Sequence, residues 1–295
     1  MEETRSEKNL ELQEELDKDE RREKSKKVFK VLFWIFLPLF IFFSLSYILL
    51  RFVGNMGITI REYPVYNSSL PEDFNGIKII QFSDIHYNEH SSFDKIKSLV
   101  KLINKANPDI VIFTGDLIDD NYSLSNDVKE SFMEEFKNIN ATINKYAIKG
   151  EDDSTDFKDI FDNSGFEILE NKKEVIYIGK SQISLFALDE NYSKSNIESD
   201  NNFKLVITHK PDNATSIISD YNPELILAGH SHNGQIVLPL IGGIIKKEGA
   251  KKYYSPYYKI NDTELYISGG IGNSDYEFRL FNHPSINFYR LRINK

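Results

Sequence analysis

The sequence predicts a mixed α/β sandwich preceded by one N-terminal transmembrane helix. Three observations predict it. A long unbroken apolar run lies near the N-terminus, short β-branched runs alternate with amphipathic helical stretches through the middle, and strand patterns without helices between them fill much of the last third.

Composition narrows the function classes. Among 295 residues, 36 are Lys or Arg and 45 are Asp or Glu, giving a net charge of −9, and 40% are hydrophobic. That is too apolar for a disordered chain and too acidic for one that grips extended nucleic acid through its overall field. The absence of cysteine excludes a disulfide scaffold, a thiolate zinc site and a thiol nucleophile. Any metal must be held by imidazole, carboxylate or amide groups.

Residues 1–27 are mostly charged or polar and read as a cytoplasmic tail. The following run, Val31 to Leu50, carries no ionisable group except Tyr47. At about 1.5 Å per helical residue it spans roughly 30 Å, the thickness of a bilayer's hydrocarbon core. Residues 28–52 are therefore expected to be a membrane anchor. Arg21, Arg22, Lys24, Lys26, Lys27 and Lys30 crowd its N-terminal side against Arg51 and Arg61 beyond it, which leaves the N-terminus cytoplasmic and the rest extracytoplasmic. The length of the run, and the lack of any alanine before Ala106, favour an uncleaved single-pass anchor over a signal peptide. Residues 53–74, rich in Gly, Pro, Asn and Ser, read as a tether with an entering edge strand from Ile58 to Tyr66, and 75–295 as one domain.

Within that domain, apolar runs end repeatedly in polar clusters. Ile77 to Phe82 leads to Ser83, Asp84, Ile85 and His86; Ile110 to Thr114 leads to Gly115, Asp116 and Asp119. Tyr146 to Lys149 leads to Gly150, Glu151, Asp152 and Asp153; Leu205 to Thr208 leads to His209; Leu225 to Ala228 leads to Gly229, His230, Ser231 and His232. Phe93 to Asn107 and Asn126 to Ile139 carry apolar residues at helical spacing between these strands. Continuous apolar strands imply a sheet covered on both faces, and ligands of such sheets gather beyond the strands' carboxyl ends, so the clusters are expected to converge. Glu174 to Leu188, Glu264 to Ile267 and Ile286 to Ile293 are expected to be antiparallel strands. Imidazoles and carboxylates gathered in this way suit divalent transition metals, and a mixed nitrogen and oxygen site accepts Mn, Fe or Zn.

These motifs, in order and spacing, resemble the ligand motifs of calcineurin-like metallophosphoesterases. GHSHNGQIVLP at Gly229 to Pro239, and SGGIGNS followed by FRLFNHPSINFYRL, look like the membrane-associated bacterial branch of that family, and the resemblance spans residues 75–293. It implies a four-layer αββα sandwich and a hydrolase of phosphate esters or anhydrides with two divalent ions. Asp84, His86 and His232 would hold one ion, His209 and His230 the other, and Asp116 would bridge. Such a pair activates a bridging water for in-line attack on phosphorus.

The third cluster departs from the family pattern. Gly-Asn-His is there replaced by Gly150-Glu151-Asp152, so Glu151 is expected to ligate in place of the amide and Asp152 to occupy the catalytic histidine's place. A carboxylate is a poor proton donor near neutrality unless its site raises its pKa. His90, four residues after His86, is a second candidate acid. The alternative is a membrane-tethered metal-binding or adaptor protein with weakened catalysis. Tethering makes a small phosphorylated or lipid-like phosphate the expected substrate.

Overall fold

Period-two alternation decides the architecture. In the strand Ile110–Thr114, Ile110 and Ile112 pack to one side while Val111 and Phe113 pack to the other, all fully buried, so neither face of its sheet meets water. The computed structural model describes residues 5–120, 122–273 and 277–294. The chain divides into two units, Met1–Leu50 and Arg51–Lys295.

The first unit belongs to helix α1 (Arg5–Arg51), which runs through the charged tail and the apolar run without interruption and contains Pro38. Its apolar side chains, among them Phe33, Trp34, Phe40 and Phe43, are exposed, and an 18-residue window has a mean hydropathy of 2.3. By length and composition α1 is long and apolar enough to cross a membrane.

The second unit is built on two six-stranded sheets. The first has the order β1 (Thr59–Asn67), β14 (Ser285–Ile293), β2 (Lys78–Phe82), β3 (Ile110–Thr114), β4 (Asn144–Ile148) and β5 (Glu167–Ile168). The second has the order β12 (Tyr257–Ile260), β13 (Thr263–Ile267), β9 (Leu225–Ala228), β8 (Phe203–Thr208), β7 (Ser181–Ala187) and β6 (Lys172–Ile178). A short hairpin, β10 (Val237–Leu238) and β11 (Gly242–Gly243), stands apart. Helices α2 (Phe93–Ala106), α3 (Asn126–Lys137) and α4 (Asp156–Asn163) cover the first sheet; α5 (Ala214–Tyr221) covers the second. The layers are α, β, β, α.

Each interface has its own core. Ile79, Ile110, Ile112 and Ile148 meet Ile183, Leu185, Leu205 and Leu227 between the sheets. Under α2, α3 and α4 the residues of opposite parity, Ile80, Phe82, Val111 and Phe113, meet Leu99, Phe132, Phe136 and Phe161. A polar tie crosses the dry layer between the sheets: Gln81 Nε2 donates to Thr114 Oγ1 at 2.9 Å and to the Ala228 carbonyl at 2.8 Å, while its Oε1 accepts from the Tyr289 hydroxyl at 2.6 Å.

Local chemistry sets the helix ends. α2 stops at Asn107, whose φ of 48° is the left-handed conformation that asparagine tolerates, and the Ser125 hydroxyl caps α3 by accepting from Val128 N. One expectation is corrected. β13 pairs antiparallel with β12 but parallel with β9, and β14 pairs antiparallel with β2 but parallel with β1. The long connection from β9 to β13 permits a crossover that a hairpin does not. The strand expected at the sheet's edge from Ile58 to Tyr66 is β1, whose nine residues pair in full with β14.

The aromatic layer yields a test of this packing. Phe136 is fully buried, with ring centroids of Phe132 and Phe161 at 5.4 and 5.5 Å. Phe136→Ala is expected to lower unfolding stability by about 3–5 kcal/mol, read by denaturant titration of the full chain in detergent.

Candidate metal centre

β2, β3 and β4 run parallel in one sheet, β8 and β9 parallel in the other, and the segments leaving their carboxyl ends meet. The turn back towards the cluster is tight. Asp84, His86, Asp116, His230 and His232 have φ of 52°, 43°, 61°, 65° and 46°, a left-handed conformation that side chains other than glycine's seldom adopt. Left-handed residues with side chains gather at sites that over-determine them.

Three constraints hold the rim. Asp84 Oδ1 accepts from His230 N at 2.8 Å, tying the two sheets, and Ser83 Oγ donates to its Oδ2. The buried Asp153 carboxylate accepts from the backbone N–H groups of Asp116, Leu117 and Gly150 at 2.9, 2.7 and 2.8 Å. Gly150 is required by close approach, since a β-carbon there would overlap the Asp116 carboxyl. At Gly115, φ is 96° and a β-carbon would lie 2.5 Å from His209 Nδ1.

The histidine tautomers follow from the partners of each ring. His209 Nδ1 donates to the Thr114 carbonyl at 2.7 Å, leaving Nε2 3.1 Å from Asp116 Oδ2. His230 Nε2 donates to the Glu248 carbonyl at 2.6 Å, leaving Nδ1 3.4 Å from Glu151 Oε1. His86 Nδ1 faces Asp119 Oδ1 at 3.3 Å and Asp152 Oδ2 at 3.5 Å, while its Nε2 lies 3.1 Å from His232 Nε2 and 3.5 Å from Asp116 Oδ2. His232 Nε2 is 3.7 Å from Asp84 Oδ1.

Three groups of donor atoms result, Asp84, His86 and His232 in one, Asp116, His209 and His230 in the next, and His86, Asp116 and Asp152 in a third that shares a member with each of the others, every group with its atoms within 4.8 Å of one another. Asp116 Oδ2, His209 Nε2 and His230 Nδ1 are buried and complete no hydrogen bond among the described residues. Buried lone pairs aimed at one another are costly unless a cation or a proton lies between them. The donor set and its orphaned atoms therefore fit divalent metal ions.

Charge in the metal-free chain is arranged accordingly. Burial opposes ionisation of Asp116, yet His209 and His86 outweigh it and hold its carboxyl far below the usual range. Burial likewise disfavours the His209 cation, but Asp116 lifts its pKa to about 10. His232 is pulled well below its ordinary value by burial, then by the positive charges of His86 and Arg279.

The remaining sequence candidates are placed differently from one another. Glu151 is the exposed member of the cluster: one oxygen faces His230 and the other pairs with Lys210 Nζ at 2.7 Å, so the charge that a carboxylate adds over an amide is balanced. Asp152 lies on the His86 side, and burial, then the Asp116 charge, push its pKa up to about 6. His90 is not gathered with them. Its side chain is 66% exposed, 3.7 Å from Glu89, because residues 88–91 form a turn closed by Asn88 and Ser91 that carries it outwards.

Three residues to which the sequence assigns no role lie at the site. Asp119, which closes the second polar cluster, faces Nδ1 of His86 at 3.3 Å. The buried Arg279 guanidinium lies 3.2 Å from His232 Nδ1. Lys247 lines a cleft of about 330 Å³ with His86, Asp152, Glu151 and His230.

The calcineurin-like phosphoesterase family model matches residues 77–234, and the chain belongs to that family. It is 29% identical over 255 residues to YkuE, an uncharacterized metallophosphoesterase of Bacillus subtilis, covering 82% of this chain and 88% of the relative. It is 25% identical over 222 residues to the phosphodiesterase YaeI of Escherichia coli, covering 72% and 82%. A transmembrane protein with a metallophosphoesterase domain from Danio rerio is 23% identical over 250 residues, covering 76% of this chain and 55% of that protein. Family and site together define a metal-dependent phosphoesterase.

Metal loading is expected to release protons, because His209 with its pKa near 10 is protonated at pH 8 and ligates only as the free base. Its folded value lies above the ordinary one, so affinity falls as pH is lowered, by about tenfold per unit for each proton displaced. Titration calorimetry with Mn²⁺ at pH 8, in buffers of differing ionisation enthalpy, should show uptake by the buffer of about one proton or more per protein.

Proposed function

We propose that this chain hydrolyses phosphate esters or anhydrides at a dinuclear centre on the outer face of the membrane. The observation that carries it is the position of Asp116 Oδ2, buried without a hydrogen bond and 3.5 and 3.1 Å from the ring nitrogens of His86 and His209, one from each side of the cluster. Asp84, His86 and His232 would hold one cation, His209, His230 and Glu151 the other, with Asp116 between them. Mixed nitrogen and oxygen donors accept Mn, Fe or Zn. When bound, such ions polarise the phosphoryl oxygens and lower the pKa of a bridging water for in-line attack.

The chain's own residues do the rest. The carbonyls of Thr114 and Glu248 orient the His209 and His230 rings, and Asp119 faces Nδ1 of His86 at 3.3 Å. Lys247 supplies positive charge to the cleft over the cluster, where a phosphoryl group would sit. Asp152 stands in the same cleft as the available acid, and its protonated fraction, about a tenth at pH 7 for a pKa near 6, makes it a weak donor. The basic flank of the apolar run supports a cytoplasmic tail (1–27), an anchor (28–52) and an extracytoplasmic domain following residues 53–74. Tethering favours small phosphorylated or lipid-like phosphate substrates.

Two substitutions test this reading on the full chain in detergent, loaded with manganese and assayed on aryl phosphomonoesters and diesters. Asp116→Asn is expected to lower turnover by about 100-fold or more, with elemental analysis falling below the two equivalents expected of the parent. Equal turnover in parent and variant, or none that depends on metal, rejects it. Asp152→His is expected to raise the rate about tenfold or more by restoring a donor matched to neutral pH. No gain, alongside stoichiometric metal, favours the membrane-tethered adaptor, the reading that the carboxylate at this position supports.

A further inference from the structure

Lys95, in the first turn of α2, lines a cavity of about 160 Å³ that is distinct from the cleft over the metal cluster. His86 forms part of its wall, so the cavity adjoins the donor groups to which His86 belongs. Arg51 and Asn55 form another part, and both follow the apolar run directly in the chain.

The charge balance there is unlike that of the molecule as a whole. Lys95 is half-buried, and among the described residues its ammonium has no carboxylate or other polar partner. Arg51 is satisfied by Glu277 at 2.5 Å, and His90 at the cavity's outer edge by Glu89. Arg279, fully buried behind this region, directs its donors to Asn273, His232 and the carbonyls of Gly269, Gly270, Gly272 and Asn282, with no carboxylate among them. Burial, and then the charge of Arg279, pull the Lys95 ammonium down to about 8. Among the described residues, a chain of net charge −9 thus keeps an unpaired ammonium in a recess beside the metal-ligand cluster. Buried lysines are rarely left unpaired, because a desolvated ammonium without an anion is costly.

We propose that this cavity is an anion subsite, in which Lys95 binds a second phosphate, or an equivalent anionic group, that the substrate carries beside the scissile one. The inference rests on the phosphoester reading of the neighbouring cluster and deepens it. The favoured substrates are then anhydrides, or esters bearing a further phosphate, and not simple monoesters. The second phosphate can be presented by a lipid headgroup or by a soluble molecule.

A labelling experiment addresses the subsite without reference to turnover. The full chain in detergent, stripped of metal by a chelator, is treated with an amine-acylating reagent, and modification of Lys95 is followed by mass spectrometry with the exposed Lys101 as internal control. Saturating inorganic pyrophosphate is expected to slow labelling of Lys95 about tenfold and leave Lys101 unchanged, the effect of one charge-assisted contact. No protection, or equal slowing of both lysines, overturns the subsite. Mixed micelles containing phosphatidic acid distinguish the sources: protection at lower phosphate concentration than pyrophosphate needs assigns a lipid headgroup, and protection by pyrophosphate alone assigns a soluble anion. In the manganese-loaded enzyme, preference for a pyrophosphate diester over an aryl phosphodiester, as a ratio of kcat/KM, is expected to fall about tenfold in Lys95→Gln through KM and to recover in Lys95→Arg. A fall carried by kcat alone points to disturbed structure and overturns the assignment. A parent enzyme that hydrolyses neither compound counts against the phosphoesterase reading, and the labelling result then decides the subsite by itself.

Discussion

Donor lone pairs confined in a dry place govern this molecule. Asp84, Asp116, His86, His209, His230 and His232 are all buried, and their free oxygens and nitrogens point at one another instead of at water. Without a cation the chain reaches a compromise, an ion pair between Asp116 and His209, with protonation favoured at His86 and disfavoured at His230 and His232. The left-handed turns at five of these residues, the three amide hydrogens accepted by Asp153 and the bare backbone of Gly150 exist to keep those atoms in place. Each costs something locally, and the surrounding sheets over-determine them.

The substitution at the third cluster changes charge more than shape. A carboxylate at Glu151 brings one more negative charge to the His209 and His230 side, and Lys210, shared with Glu190, removes the excess. Asp152 pairs with no lysine in this way: burial and then the Asp116 charge outweigh the pull of His86 and Lys247, so its proton is held more tightly than in water. The two changes therefore separate: the first is compatible with a tight metal, the second with slow proton transfer.

Much of this was legible from the sequence because burial on both faces of a sheet forces apolar runs, and the polar clusters stand out where each run ends. The layers at Ile79 and Ile80, or at Ile112 and Phe113, follow from alternation alone. Strand direction was less legible at the C-terminal end, since β13 and β14 each have one parallel and one antiparallel neighbour and only the connections decide that. Lys247 carries no local signal, and Arg279 lies in the FRLFNHPSINFYRL segment without a feature that marks it out as a site residue. They meet the cluster through loops whose paths are set by packing, and a lone lysine or arginine in such a segment looks like any solvated charge. His90, four residues after His86, could be read as a candidate acid or as an exposed loop histidine, and a turn closed by Asn88 and Ser91 makes it the second.

The hydrogen bonds around Gln81 have a mechanical meaning. Its amide grips Thr114 on its own sheet and the Ala228 carbonyl on the opposite one, while Tyr289 and Asn287 close the other side. Sliding one layer over the other by even a fraction of a strand repeat would break several of these bonds at once in a region with no solvent to replace them. The halves of the cluster, one borne by each sheet, are therefore locked against shear by a tie that lies outside the cluster itself.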